Sequence, residues 1–90
     1  MANSDHRIEH EFVLVLTGIS SLSEAMEDAL YQAGCNDATI SVRQGRVTMR
    51  FSRAGVTARD AIESATLDVR KANIGADVLR VEFSNYVNED

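Results

Sequence analysis

The sequence predicts an α+β fold, a ferredoxin-like βαββαβ two-layer sandwich with a four-stranded antiparallel sheet and two helices on one face. Three observations carry that expectation. Four short runs alternate apolar and polar residues, and two longer runs repeat apolar residues at helical spacing. Their order along the chain is strand-helix-strand, then strand-helix-strand again. With 90 residues, 44% hydrophobic and 26% charged, the expected organisation is one domain spanning residues 1–90 with a modest core. Its ordered part is expected from about residue 8 to residue 84, between polar termini that fray.

The first strand is expected over residues 12–17, where Phe12, Leu14 and Leu16 point one way. Glu11, Val13, Val15 and Thr17 point the other way. Gly18 ends it. Ser21-Leu22-Ser23-Glu24 then reads as a capping box that opens a helix over residues 23–33. Leu22, Met26, Ala29, Leu30 and Ala33 form its apolar stripe, and Gly34 takes the left-handed cap position. The second strand, residues 39–43, is expected to bury Ile40 and Val42. Gln44-Gly45 makes a two-residue hairpin turn into a third strand, residues 47–52, which buries Val47, Met49 and Phe51. Thr57 caps a second helix over residues 58–73, with Ala58, Ala61, Ile62, Ala65, Val69 and Ala72 inward. Gly75 closes it, and a fourth strand, residues 78–83, is expected to bury Leu79, Val81 and Phe83.

A net charge of −5 argues against a general nucleic-acid binder, because phosphate contacts need a positive field. The charge is uneven, however. Arg43, Arg46, Arg50, Arg53 and Arg59 lie in a stretch, residues 38–59, that holds no Asp or Glu, while the first helix carries Glu24, Glu27 and Asp28. Lys71 is the sole lysine among nine basic residues, a bias towards planar pairing with carboxylate or phosphate. The longest apolar run, residues 12–16, is far short of the roughly 20 residues a membrane helix needs, and no secretory leader opens the chain. Cys35 has no cysteine partner, which fits a reducing cytoplasm.

Catalytic chemistry finds little footing. Cys35 follows a helix C-terminus, where the dipole disfavours a thiolate, so it reads as a small buried hydrophobe. His6 and His10 are four apart, but the segment feeds a strand and no further ligand completes a metal site. Glu27 with Asp28, and Asp60 with Glu63, fall on helix exteriors. The expectation is no enzyme, no cofactor and no metal. Acylphosphatases are similar in strand order, but the loop Thr17-Gly18-Ile19-Ser20-Ser21 lacks their arginine and the third strand lacks their asparagine. Heavy-metal-binding domains need a CxxC that is missing. RNA-recognition motifs stack bases on open-face aromatics, whereas Thr48 and Arg50 occupy those positions here.

Two candidate sites remain. With both helices on one side, the bare sheet face should carry Val13 and Val15 at its centre, ringed by Arg43, Thr48, Arg50 and Arg80 with Glu11 and Glu82. A second copy of the chain, giving a homodimer, or another protein is the expected occupant. The second candidate is the turn Thr17, Gly18 and Ser20, which is similar to the ligand-binding turn of amino-acid-sensing ACT domains. A serine-rich helix cap accounts for the same residues without a ligand.

A closer likeness lies in Phe12-Val13-Leu14-Val15-Leu16-Thr17-Gly18, in Asp28-Ala29-Leu30-Tyr31-Gln32-Ala33-Gly34-Cys35-Asn36-Asp37-Ala38, in Gly45-Arg46-Val47, and in Gly75-Ala76-Asp77-Val78-Leu79-Arg80-Val81-Glu82. These runs resemble the N-terminal domain of short bacterial helix-turn-helix regulators and antitoxin-like DNA-binding proteins. In those relatives the last strand leads into a helix-turn-helix, whereas here Ser84 to Asp90 follow it. The resemblance therefore implies only the accessory role: dimerisation, partner binding or sensing in a bacterial cytoplasm. The function expected is a non-enzymatic protein-interaction domain acting as a regulatory or antitoxin-like partner. An ACT-like sensor and a weak nucleic-acid contact through the arginine-bearing hairpin are the alternatives.

Overall fold

A computed structural model of the protein describes residues 7–83. Six elements follow in the order β1 (Ile8–Thr17), α1 (Glu24–Ala33), β2 (Ala38–Arg43), β3 (Arg46–Gly55), α2 (Ala58–Lys71) and β4 (Asp77–Glu82). The strands form one antiparallel sheet in the order β2-β3-β1-β4. This is the ferredoxin-like α+β sandwich that the alternating runs predict. Helix α2 lies close across β3, β1 and β4, and α1 packs beside α2.

The central pair β1–β3 is longer than the apolar pattern alone suggests. Ile8, Glu9, His10 and Glu11 pair with Gly55, Ala54, Arg53 and Ser52, so the ladder runs into polar residues. Backbone hydrogen bonding, which is indifferent to side-chain polarity, extends both strands until the partner ends. Phe12 and Phe51 face each other across this ladder and stack with ring centroids 5.4 Å apart and planes 11° apart. Around them the core comprises Leu14, Leu16, Leu30, Cys35, Val47, Met49, Ala61, Ala65 and Val69. The small alanines of α2 let the helix approach the sheet closely, while α1 buries Leu30 fully and Met26, Ala29 and Ala33 partly.

Helix ends follow local chemistry with three departures. Ser23, rather than Ser21, is the α1 cap: its Oγ accepts from Met26 N–H at 3.2 Å, and its own N–H points to the Met26 sulfur at 3.5 Å, where Glu24 was expected to serve. Thr57 caps α2 as expected, its hydroxyl accepting from Asp60 N–H at 3.1 Å. Helix α2 stops at Lys71, and Asn73 (φ 57°) takes the left-handed conformation just past it, two residues ahead of Gly75 (φ 84°), which was expected to close the helix. Asparagine tolerates that conformation better than most residues. At the hairpin, Gln44 (φ 53°) and Gly45 (φ 77°) both take positive φ, the type I′ geometry that suits a two-residue turn.

Strand β4 corrects the expected side-chain order. Val15 pairs with Arg80 but Leu16 with Val78, so Leu79 is an extra residue in a β-bulge. Val78 and Val81 therefore face the helices, while Leu79 (52%) and Phe83 (45%) are largely exposed rather than buried. Val42 was also expected inside and is 46% exposed, on a strand at the edge of the sheet.

Candidate functional site

The sheet face opposite the helices is built row by row from the strand register. Thr39, Arg50, Val13 and Glu82 form one row, and Ser41, Thr48, Val15 and Arg80 the next. The two valines do not offer the apolar centre expected of them. Val15 is only 1% exposed, flanked by Thr48 and Arg80, and Val13 is half-buried. Arg80 is also committed, since its Nε donates to Glu82 at 2.8 Å along the same strand face.

The remaining residues of this face, Arg43, Thr48 and Arg50, come together at the β2–β3 hairpin with Arg46. With Ser41, Val42 and Gln44 they line a groove of about 550 Å³ that contains no carboxylate. Arg43 and Arg46 stand directly opposite each other across the ladder, an arrangement that destabilises a sheet when charges match. Among the described residues no carboxylate pairs with Arg43, Arg46 or Arg50. By contrast Arg53 holds two, and Arg59, Arg70 and Arg80 hold one each. In a chain of net charge −5, three uncompensated guanidinium groups gather on one short ribbon.

Arg53 does not join them, although it shares the same basic stretch. It follows Met49 and Phe51 on the helix-facing side of β3 and is 9% exposed. Its Nε and one terminal nitrogen grip Asp37 at 2.8 and 2.9 Å, a bidentate pair. The same terminal nitrogen donates to the Gly34 carbonyl at 2.7 Å, and the other donates to Ser64 Oγ and Asp68 at 2.9 Å each. All five guanidinium N–H groups are thereby satisfied. The Phe51 ring lies beneath, 5.1 Å from the guanidinium carbon to the centroid. The hydrogen bond to Asp37, ahead of that to Asp68, holds Arg53 charged more firmly than an ordinary arginine. Gly34 (φ 120°) fits the hub for a second reason: a Cβ there would stand 2.6 Å from Asp68 Oδ2. The period-two pattern of Val47, Met49 and Phe51, continued to residue 53, is the signal for this burial, and it lies one residue beyond the strand expected over residues 47–52.

Cys35 lies beside this hub, buried at 1% exposure. Burial first, then the Asp68 and Asp37 carboxylates, push its thiol up to about 11 against the opposing pull of Arg53. The thiol is neutral near pH 7 and packs as a hydrophobe. His10 donates through Nε2 to the Gly55 carbonyl at 3.0 Å, while His6 lies outside the described residues.

At the turn Thr17, Gly18 and Ser20, packing and sheet pairing shape the first two positions. Gly18 (φ 94°) leaves no room for a side chain, since a Cβ would collide with the Gly75 carbonyl oxygen. Thr17 pairs with Asp77 in the sheet. At the adjoining start of α1, the Met26 and Glu27 N–H groups are bonded to Ser23 Oγ and Ser23 O.

No helix among the described residues is long and apolar enough to cross a membrane. Set beside family models, curated proteins and solved structures, the chain matches none of them. The fold and the site geometry define a small α+β sandwich domain that displays an arginine-lined hairpin.

Proposed function

We propose that the protein is a non-catalytic interaction domain whose arginine-bearing β2–β3 hairpin docks an anionic partner protein. One observation carries the reading: Arg43, Arg46 and Arg50 converge on a carboxylate-free groove, with two of them opposed across the ladder. Like charges held this way weaken the fold by about 0.2–1 kcal/mol per opposed pair. A bound carboxylate-rich surface removes that penalty. Guanidinium suits the task, since its planar fork pairs two-point with carboxylates. The regulatory or antitoxin-like setting in a bacterial cytoplasm comes from the sequence resemblance. Self-association through the open face is the weaker form of the proposal. With Val15 buried, that face draws its apolar area from Val13, about 1.5–3 kcal/mol at most for one valine.

The test compares the wild-type chain with an Arg43→Ala, Arg46→Ala, Arg50→Ala variant as bait in host extract, eluting with a salt gradient. The expected outcome is a partner of acidic character that leaves the wild type as salt rises and is not held by the variant. Equal capture by both baits refutes the arginine hairpin as the docking element.

A further inference from the structure

We propose that the outer edge of β2 takes up an extended segment of the partner as an additional strand, one in which acidic residues alternate with apolar ones. The inference rests on the arginine-hairpin reading and adds the mode of recognition and the sequence pattern recognised. It starts from which backbone groups face outward. A two-residue turn closes on the bonded pair Arg43–Arg46, and Ser52 N–H donates to the Asp37 carbonyl at 3.2 Å. Bonded pairs alternate with non-bonded ones in an antiparallel ladder. Thr39, Ser41 and Arg43 therefore bond to β3, while the N–H and C=O of Ile40 and Val42 point away from the sheet. Among the described residues nothing pairs with them, since β2 is an edge strand.

The two edges of this sheet are treated differently. Strand β4 carries a bulge at Leu79 and carboxylates at Asp77 and Glu82, devices that discourage strand addition. Strand β2 has no bulge in its register and no carboxylate or proline. It presents both requirements of a strand-addition site, an unpaired backbone and distinct side-chain surfaces on either face. On the open face Arg43 lies on the edge strand itself. Arg50 is one strand further in, roughly 10 Å from an added strand, with only Thr39 between. An extended arginine reaching over the threonine meets a glutamate side chain of the added strand across that distance. On the other face Val42, 46% exposed at the rim of the sheet, and half-buried Ile40 offer apolar contact. An added strand thus meets cations on one side and aliphatic carbon on the other.

A second copy of the chain does not fit this edge. An antiparallel second copy adds a further arginine-bearing hairpin to the open face and no carboxylate from either hairpin groove. Charge complementarity selects a different, acidic segment.

The probe is a blocked eight-residue peptide alternating glutamate and valine, titrated by fluorescence anisotropy onto the full chain. Amide hydrogen exchange is read by NMR with and without it. Binding is expected to slow exchange of the Ile40 and Val42 amides at least fivefold. Val42→Pro, which removes an outward N–H at a position where an edge strand tolerates proline, is expected to weaken binding at least tenfold. A second peptide of the same charge, with proline at alternate valines, is expected to bind at least tenfold more weakly. If both peptides bind alike and depend on the arginines, strand addition is overturned while the arginine-hairpin reading stands. If neither binds, both readings fall. If a single-stranded oligonucleotide of matched charge binds more tightly than the alternating peptide, the acidic-segment assignment is overturned in favour of phosphate recognition. Unchanged exchange at Ile40 and Val42 in the bound state also overturns it.

Discussion

Replacing Arg53 tests whether the buried guanidinium holds the two layers together. Arg53→Met keeps an aliphatic stem over Phe51 but removes every hydrogen bond to Asp37, Asp68, Ser64 and the Gly34 carbonyl. Stranding a buried charge by deleting its partner destabilises by about 3–5 kcal/mol. Here the lower end applies, because Asp37 keeps 30% of its side-chain surface exposed and Asp68 keeps 17%, so water screens part of the loss. About 3 kcal/mol is a large share of the roughly 5–15 kcal/mol available to a small domain. The guanidinium remains charged throughout the neutral range, its raised pKa placing any loss above the ordinary arginine value, so its contribution is full near pH 7. Urea unfolding followed by far-ultraviolet circular dichroism supplies the measurement. A companion variant with Arg53→Met, Asp37→Asn and Asp68→Asn neutralises the stranded carboxylates and is expected to regain part of the stability. A loss below about 1 kcal/mol for Arg53→Met, or a companion no more stable than the single variant, refutes the reasoning.

Arg46→Glu places an opposite charge across from Arg43 and is expected to raise stability by about 0.2–1 kcal/mol in thermal unfolding while abolishing partner binding. A lower melting temperature refutes the view that these arginines serve binding at the expense of the fold. Native Cys35, with its thiol near 11 and 1% exposed, is expected to resist iodoacetamide at pH 8 and to react fully once unfolded. Labelling at equal rates in both states contradicts its burial. The Val78 N–H bond, followed by Arg70, holds the Asp77 carboxyl below its ordinary value. Its contribution is therefore present above the ordinary aspartate pKa and lost as pH falls through the folded value. A carboxyl titration by NMR with a midpoint at or above the ordinary value shows that these contacts do not persist in solution.

Much of the scaffold was legible because its determinants are local. Phe12, Leu14 and Leu16 alternate, as do Val47, Met49 and Phe51, and each trio lies inward in the core. Gln44-Gly45 and Thr57 act through geometry confined to a few residues. The misreadings arose where an outcome depends on a distant neighbour. In Val78-Leu79-Arg80-Val81 apolar residues satisfy either strand parity, and only pairing with β1 reveals that Leu79 is the extra residue. Val42 has a core-like position in its own strand, but its exposure is decided by that strand's place at the edge of the sheet. Val15 was assigned by residue type and strand face, and Arg53 only by its place in a basic stretch, whereas burial reflects what flanks them in three dimensions. The arginine groove was half visible: its cations stood out as a carboxylate-free stretch, but which of them remain unpaired required the fold.

The clamp on Arg53 also determines which parts of the hairpin evolution is free to rewrite. Asp37 immediately precedes β2 and Arg53 lies near the far end of β3, so the grip sits at the root of the ribbon, opposite the Gln44-Gly45 tip. Sliding the two strands by a residue would tear this grip apart and turn every side chain over. The root thus sets the alignment once, and the tip inherits it whatever residues it bears. Recognition residues can be exchanged at the tip to suit a new partner while the joint that orients them stays the same.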